Sequence, residues 1–419
     1  MEKKQTIGKA KGITHMKVLA VAFLLAIFYI GSATFPATVN NIGSIFDNAQ
    51  SDRQPNTSSI KKQIDRDYRR MLDFEHSNLK SKGTYVNLNG LMARIIGQRY
   101  MNKRVKLENG HLAAMVKPQD VTLPAIQLTK LYTHQKEKDK DFLYVLAPDQ
   151  VPKYEDILPA GYKSYSNQNA DDLLETLRKN DVPVLDLREE MLNEKIDHTD
   201  AFFVTDHHWK PETGFWAYTK IIDQLVQTGA MNPIDSVYTD INEYEIEVYK
   251  DFFLGSAGKR TGSYYAGVDD FSFIFPKFET DFSLELPSRS ISLHGDFRDI
   301  AYDTSCIVYD YFSARVHDSY GHGQYGYKHY NNEMAPSDLK VLIIGDSFSR
   351  VPCTFLPLVF NSCNQFDMRY FEGDFEECYY EYNPDVVIVL TTPASVKEKH
   401  LTYDFFNDLK NVDTSLDDA

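Results

Sequence analysis

The chain has 419 residues, of which 42% are hydrophobic and 25% are charged, a composition typical of folded globular proteins. This length provides for one large domain or two smaller ones. The formal net charge of −15 argues against a nucleic-acid partner and against close docking to anionic polymers or lipid surfaces, because like charges repel.

The N-terminal segment has the pattern of an export signal. Residues 1–17 contain five lysines and one glutamate, and residues 18–37 contain no charged side chain. An apolar run of about 20 residues after a basic flank predicts a signal anchor, with the remainder outside the cytoplasm and the protein held at the cell membrane as a single-pass protein. Two alternatives are a cleaved signal peptide, which would make the protein secreted, and a buried helix. The polar residues 38–59 are interpreted as a linker.

Alternating strand and helix patterns follow, and they predict an α/β fold with a mostly parallel sheet. Apolar runs predict strands at 142–147, 182–187, 201–204, 341–344, 366–370 and 386–390. Helical spacing predicts helices at 170–177, from Pro211 to Gly229, and at 349–360. We therefore predict one extracytoplasmic domain over residues 60–405, followed by an acidic tail at 406–419.

Residues 231–338 differ from the rest of this domain. They are rich in Tyr, Phe, Gly, Asp and Ser and show few helical periods, so we predict a β-rich insertion. Three of the four cysteines (Cys306, Cys353, Cys363 and Cys378) are close together near the C-terminus. A local disulfide and buried free thiols are both compatible with this spacing, and the pairing stays open.

Two short segments supply the parts of an activated serine nucleophile. Asp206-His207-His208-Trp209 offers a carboxylate and an imidazole two residues apart, and Gly345-Asp346-Ser347 places a serine after an apolar strand. A serine attacks, a histidine takes its proton, and an aspartate fixes the histidine tautomer. Since both segments are predicted to follow strands of one sheet, the two loops are expected to meet at its carboxyl edge.

Each segment alone has a simpler explanation. Asp346 and Ser347 could be a helix N-cap, because these residue types are preferred there. The two histidines beside Asp206 could be metal ligands, but they lack the i, i+4 spacing of a helical metal site and no second cluster is apparent. We therefore predict no metal, and the sequence leaves open whether His207 or His208 is the base.

The Asp-His-His-Trp segment resembles the signature of the DHHW family, exported proteins related to the alginate O-acetyltransferases of the AlgX and AlgJ type. Gly345-Asp346-Ser347-Phe348-Ser349 resembles their serine block, and Asp367-Met368-Arg369-Tyr370-Phe371 is similar to their Asp-x-Arg-Tyr element. The segment from Asn383 to Val389 resembles their last core strand. The resemblance covers roughly residues 80–400. It implies an SGNH-hydrolase-like, flavodoxin-like fold in which the usual motif order is permuted.

The resemblance implies a role for each part of the site. Ser347 would be the nucleophile, His208 the general base and Asp206 the orienting carboxylate, while Asp346 would be structural. The Ser347 N–H is one candidate oxyanion donor. The further candidate oxyanion or substrate contacts are Gly321, Gly323, Asn331, Asn332, Arg350 and Trp209.

The predicted function is O-acetylation of a cell-surface or secreted polysaccharide through an acetyl-serine intermediate. This chemistry needs no cofactor. Because acetyl-CoA is cytoplasmic, the resemblance implies a multi-pass membrane-bound O-acyltransferase as the partner that delivers the acyl group. Two alternatives remain: a carbohydrate esterase, which would use water as the acceptor, and a non-catalytic protein that binds polysaccharide or scaffolds an export complex.

Overall fold

The computed structural model describes residues 82–323 and 325–406. The chain divides into two compact units, residues 1–85 and 86–419, and the described part of the first is the beginning of one helix. Within the described ranges, no helix combines the length and apolar character needed to cross a bilayer. The predicted basic segment 1–17, apolar segment 18–37 and linker 38–59 lie outside these ranges, as does the acidic tail from residue 407.

The secondary structure alternates between helices and short strands, as the sequence pattern predicts. The helices are α1 (Lys82–Ile95), α2 (Thr122–Lys136), α3 (Ser166–Lys179), α4 (Leu187–Asn193), α5 (His198–Ala201), α6 (Pro211–Thr228), α7 (Ser256–Thr261), α8 (Ser263–Ala266), α9 (Phe297–Ile300), α10 (Arg350–Phe355), α11 (Phe375–Tyr382) and α12 (Lys399–Thr402). The strands are β1 (Tyr100–Met101), β2 (Arg104–Lys106), β3 (Leu112–Ala113), β4 (Asp141–Leu146), β5 (Val184–Asp186), β6 (Tyr244–Phe253), β7 (Asp269–Pro276), β8 (Phe282–Leu286), β9 (Ile291–Gly295), β10 (Tyr327–Asn331), β11 (Ser337–Gly345), β12 (Phe360–Phe366) and β13 (Val386–Thr391).

The central sheet has eight strands in the order β5-β4-β13-β11-β12-β10-β8-β9. The five strands from β5 to β12 are parallel, whereas β10, β8 and β9 are added in antiparallel fashion. The predicted α/β fold with a mostly parallel sheet is therefore confirmed. Within residues 231–338, β8, β9 and β10 extend this sheet, while β6 and β7 form a separate antiparallel pair.

Alternate residues of the parallel strands enter two separate cores, one on each face of the sheet. Val341 and Ile343 of β11 pack into the core that contains α6. Leu342 and Ile344 pack into the core that contains α2, α3 and α11. Because both faces are covered, these strands are apolar along their length, which made them recognisable in the sequence.

Three predicted elements differ from the structure. Residues 201–204 do not form a sheet strand: α5 ends at Ala201, and Phe202 forms an isolated antiparallel bridge with Trp209. The helix predicted for 349–360 ends at Phe355 and gives way to a 3₁₀ turn that contains Pro357, whose missing N–H ends the α-helical ladder. The strand predicted at 366–370 lies earlier, at 360–366.

Candidate active site

Ser347 lies in the four-residue connection between β11 and α10, at the carboxyl edge of the parallel sheet. The buried carboxylate of Asp346 holds this connection. One of its oxygens accepts the Phe348 N–H at 2.9 Å. The other accepts the Thr392 N–H at 3.0 Å and the Ser395 hydroxyl at 2.5 Å, both from the loop after β13. Asp346 therefore fastens the serine loop to its neighbour, which is a structural role.

The charge of Asp346 is stabilised by the same contacts. Burial by itself would raise the pKa of this carboxyl, but the neighbouring His400 and the hydrogen bonds from Ser395, Phe348 and Thr392 bring it below its usual value. Asp346 is therefore ionised at neutral pH and accepts all of these hydrogen bonds as a carboxylate.

Asp206, His208 and Ser347 form a continuous hydrogen-bonded relay. His208 Nδ1 lies 2.5 Å from Asp206 Oδ1, and His208 Nε2 lies 2.7 Å from Ser347 Oγ. With the Nδ1 proton on the carboxylate side, Nε2 is left as the acceptor for the serine hydroxyl. The three side chains come from segments 139 residues apart in sequence, and the fold joins them at one edge of the sheet.

Asp206 is buried and ionised. It accepts the His208 N–H at 3.1 Å and, through its second oxygen, the Ser256 N–H at 2.5 Å. Burial acts to raise the pKa of this carboxyl, but the charges of His208 and His207 and the hydrogen bond from His208 hold it well below its usual range. A negative charge beside the imidazole would stabilise an imidazolium if His208 took the serine proton.

A second buried carboxylate fixes the loop that carries Asp206. Asp269 on β7 accepts the N–H groups of Val204 and Thr205 at 2.9 and 2.8 Å and the Thr205 hydroxyl at 2.6 Å. On the other side, the Gln150 amide donates to the Asp206 carbonyl at 2.6 Å. Residues 201–204 have no hydrogen bonds to the described strands of the central sheet, and these side-chain bonds hold the loop in place instead.

The ring of His317 stacks on His208 with a centroid separation of 4.0 Å and an interplanar angle of 18°. Arg350 Nη1 donates to His317 Nδ1 at 2.7 Å and to Asp318 Oδ1 at 2.7 Å. His317 Nδ1 is therefore an acceptor. Burial, reinforced by His208 and Arg350, holds the pKa of His317 well below its usual value. A neutral ring thus covers one face of the proposed base.

A small, partly open cavity lies beside Ser347. Its walls include Gly323, Lys328, Arg350, Gln365 and Asp367. Burial, together with nearby Arg350, lowers the pKa of Lys328 to about 7, and its ammonium donates to the carbonyl oxygens of Gly321 and Gly323. The cavity is small and polar, and the side chains of Lys328 and Arg350 contribute to its wall.

The predicted oxyanion and substrate contacts divide into two groups. Gly323 and Arg350 line the cavity, but the N–H groups of Gly321 and Gly323 already donate to the carbonyls of Ala301 and Tyr320. They are therefore not available as oxyanion donors. Among the described residues, no hydrogen bond occupies the N–H of Ser347, which leaves this donor free for a developing oxyanion.

Asn331 and Asn332 are not near the serine, and Trp209 is near it but is buried beneath the loop. Because β10 runs antiparallel to β12, its last residue, Asn331, pairs with Ser362 near the amino end of β12, the opposite edge of the sheet. Asn332 is buried there and donates to the Pro357 carbonyl. Trp209 is fully buried and packs against Phe348. It therefore supports the serine loop from the protein interior and cannot contact a substrate from solvent.

The structure distinguishes the two adjacent histidines. His208 bridges Asp206 and Ser347, whereas His207 is 42% exposed and its Nδ1 lies 3.4 Å from Ser256 Oγ. Asp206, His207 and His208 also place one potential metal-ligand atom each within 4.8 Å of one another. However, both ring nitrogens of His208 are already engaged in the relay, so hydrogen bonding accounts for this cluster without a metal.

Sequence reasoning missed Ser256, His317 and Lys328. Ser256 lies in Gly255-Ser256-Ala257-Gly258, and the small residues are the sequence feature that indicates a close approach: a methyl group on Gly255 would overlap the Asp206 side chain. No local pattern marks His317 or Lys328, because their partners come from distant segments.

Part of the chain is similar in sequence to a known protein family. Residues 118–242 match the family model described as "SGNH hydrolase-like domain, acetyltransferase AlgX". The predicted resemblance is confirmed. The matched segment contains Asp206 and His208 and ends before Ser347. No curated protein matches the chain by sequence.

Solved structures with the same fold cover most of the described chain. Bacillus cereus PatB1 aligns with a TM-score of 0.57 at 17% identity, covering 72% of this chain and 97% of PatB1. A second PatB1 structure, which carries a sulfonyl adduct, aligns with a TM-score of 0.55 at 17% identity, covering 69% and 94%. A DHHW family protein from Eubacterium siraeum aligns with a TM-score of 0.54 at 15% identity, covering 72% and 95%. At these identities the likeness establishes a shared α/β fold.

Proposed function

We propose that this chain is an extracytoplasmic O-acetyltransferase that modifies a polysaccharide through an acetyl-Ser347 intermediate. The observation that carries the proposal is the relay from Asp206 through His208 to Ser347, with contacts of 2.5 and 2.7 Å. The match of residues 118–242 to an SGNH hydrolase-like acetyltransferase model supports an acyl-transferring or ester-cleaving enzyme. The choice of a polysaccharide acceptor rests on this family context.

In the proposed first half-reaction, Ser347 Oγ attacks the carbonyl carbon of an acyl donor while His208 Nε2 takes the hydroxyl proton. The carbonyl oxygen becomes an oxyanion beside the free Ser347 N–H. When the carbon–leaving-group bond breaks, His208 returns the proton to the leaving group. Asp206 keeps its charge throughout and stabilises the imidazolium form of His208 in between.

In the second half-reaction, a sugar hydroxyl replaces the leaving group. His208 removes its proton as the oxygen attacks the acetyl carbon, and the proton then returns to Ser347 as the ester forms on the sugar. With water as the acceptor, the same steps make a carbohydrate esterase. The acyl group would reach the site from a multi-pass membrane-bound O-acyltransferase, because the predicted location outside the cytoplasm separates the enzyme from acetyl-CoA.

Intact-mass spectrometry tests the proposal directly. The full chain is incubated with an activated acetyl ester, and one acetyl adduct is expected. Ser347→Ala and His208→Ala should abolish the adduct, whereas Ser349→Ala, in the same loop, should retain it. Candidate glycans added to the acetylated protein then distinguish transfer from hydrolysis by whether the glycan or only free acetate gains the group. A wild-type protein that neither forms an adduct nor turns over the ester contradicts the catalytic proposal and favours a polysaccharide-binding role.

A further inference from the structure

Helix α1 turns its small residues toward the protein and its large apolar residues outward. Gly90 and Ala93 are buried. Four large apolar side chains on the other side of the helix and Ile96, in the turn that follows it, are between 37% and 69% exposed: Leu88, Leu91, Met92, Ile95 and Ile96. We call these five residues the α1 apolar face. A contiguous exposed apolar patch of this kind marks an interaction surface on a folded protein.

The inward side of α1 is fixed by specific contacts, so its outward side is a defined surface. A methyl group on Gly90 would overlap the carbonyl oxygen of Thr261. Asn87 Oδ1 accepts the N–H of Ser263 at 2.7 Å and its hydroxyl at 3.1 Å. The helix is therefore docked on α7 and α8 in one orientation, and rotating it to bury the apolar face would break this packing.

The segment that carries this face has a charge opposite to that of the whole chain. Residues 86–107 contain five cations and no carboxylate, although the full chain has a formal charge of −15. The cations are Arg94, Arg99, Lys103, Arg104 and Lys106, of which the first three are exposed. Arg99 is partly neutralised by Glu108, at 3.0 Å. Exposed apolar side chains flanked by cations are the pattern of helices that lie in a lipid headgroup region.

We propose that the α1 apolar face docks on the surface of an anionic lipid bilayer. The five apolar side chains would enter the boundary between headgroups and acyl chains, and Arg94 and Lys103 would lie beside lipid phosphates. A second copy of the chain fits less well, because two-fold pairing of the same face would bring like cations together. The local positive charge is what favours an anionic lipid as the occupant.

Helix α7 connects α1 to the candidate active site. Helix α7 begins at Ser256, whose N–H bonds Asp206, and ends at Thr261 beneath Gly90. A helix of this length spans about 9 Å, so one short helix separates the inward side of α1 from the N–H group that bonds Asp206. Docking through α1 would therefore connect the bilayer-bound helix to the loop of Asp206 through α7. The value of this for receiving a membrane-delivered acyl group rests on the proposed function, whereas the docking itself does not.

Site-specific photo-crosslinking of the full chain in lipid vesicles tests the proposal. Ile95 is replaced by p-benzoylphenylalanine in one sample. Met334, which is 48% exposed and precedes β11 at the amino edge of the sheet, is replaced in the matched control. Vesicles contain either phosphatidylglycerol with phosphatidylcholine or phosphatidylcholine alone, and lipid adducts are quantified by mass spectrometry.

We expect lipid adducts at position 95 in the anionic vesicles and background levels at position 334. Lys103→Gln should lower the yield at position 95 by about fivefold, the effect of one surface cation, and Leu88→Asp should reduce it to background. Both variants should keep the wild-type unfolding midpoint, since neither side chain is part of the core.

Equal lipid yields at positions 95 and 334, yields independent of lipid charge, or crosslinks from position 95 to a second copy or to residues 1–81 would each overturn the proposal. Acylation of Ser347, measured in the same preparation, reports separately on the proposed function. Lipid crosslinking at position 95 and acylation of Ser347 can therefore fail independently of each other.

Discussion

Replacing Asp206 by asparagine separates the charge of the relay from its shape. The carboxylate accepts three hydrogen bonds, from His208 Nδ1 at 2.5 Å, from the His208 N–H at 3.1 Å and from the Ser256 N–H at 2.5 Å. Asparagine has nearly the same size, but one of its two polar atoms is an NH₂ donor. If its carbonyl oxygen keeps the Ser256 N–H, the NH₂ group faces His208 and selects the tautomer with the proton on Nε2.

With its proton on Nε2, His208 can no longer accept the hydroxyl proton of Ser347. The same substitution in serine proteases lowers kcat by about 10⁴, which corresponds to about 5.5 kcal/mol of transition-state stabilisation. Because Asp206 here is buried and its pKa is held well below the usual range, we expect a loss of the same order, about 10³–10⁴. The substrate cavity is lined by other residues, so KM should change little.

The assay is the rate of Ser347 acetylation by an activated ester, followed by quenched intact-mass spectrometry over a range of ester concentrations. Asp269→Asn is the matched control. Asp269 is also a buried carboxylate and holds the same loop through Val204 and Thr205, but it does not touch His208. This control should lower the free energy of unfolding and leave the acetylation rate within a few-fold of wild type. Acetylation of Asp206→Asn within about tenfold of the wild-type rate would refute the assigned role of the charge.

Three further predictions concern stability and positioning. Gly262→Ala should destabilise the protein by about 2–3 kcal/mol in chemical denaturation, because Gly262 has a φ of +88° and its methyl group would lie 2.6 Å from a carbonyl oxygen of α1. The control is Gly267→Ala. Gly267 has a φ of +85° but open space around it, so this variant should cost only about 1 kcal/mol. His317→Leu should lower the acetylation rate about threefold to tenfold, which is the energetic value of one ring stack, and should leave KM unchanged. An unchanged rate would show that the His317 ring does not position His208. The pKa of Asp346 is lower in the folded chain than the usual value of about 3.9, so its stabilisation is complete above that pH and is lost as the pH falls through the folded pKa. The free energy of unfolding should accordingly decline less between about pH 5 and pH 3 in Asp346→Asn than in wild type, and an equal decline would contradict this assignment.

Local patterns in the sequence were sufficient to predict the parallel sheet and the two halves of the site. Strands buried on both faces are continuous apolar runs, and 341–344 and 386–390 were recognised for that reason. Helix α6 was bounded correctly because Pro211 and Gly229 act locally: Gly229 adopts a φ of +80°, which favours glycine. Asp, His and Ser in two loops at one edge of a sheet are the residue types of an activated serine, so the relay could be proposed before its geometry was known.

Residues 201–204 show where this reasoning fails. Their apolar character predicted a strand, but the segment is held by the Asp269 carboxylate and the Gln150 amide from other parts of the chain. Asn331 and Asn332 failed as donor candidates for a related reason. Their distance from Ser347 depends on the antiparallel direction of β10, which is set by pairing with strands that are remote in sequence.

The sequence by itself was enough to predict the secondary-structure alternation and to propose Asp206, His208 and Ser347 as acid, base and nucleophile, because these inferences depend on residue type and short spacing. The export signal at residues 1–37 stays a prediction from the same kind of pattern. Tertiary structure alone decided that His208 and not His207 meets Ser347, that His317 covers the base, that Ser256 anchors Asp206 and that all four thiols are free. It also decided that α1 turns its large apolar residues outward. These features depend on contacts between segments tens to hundreds of residues apart, and such contacts exist only once the chain has packed.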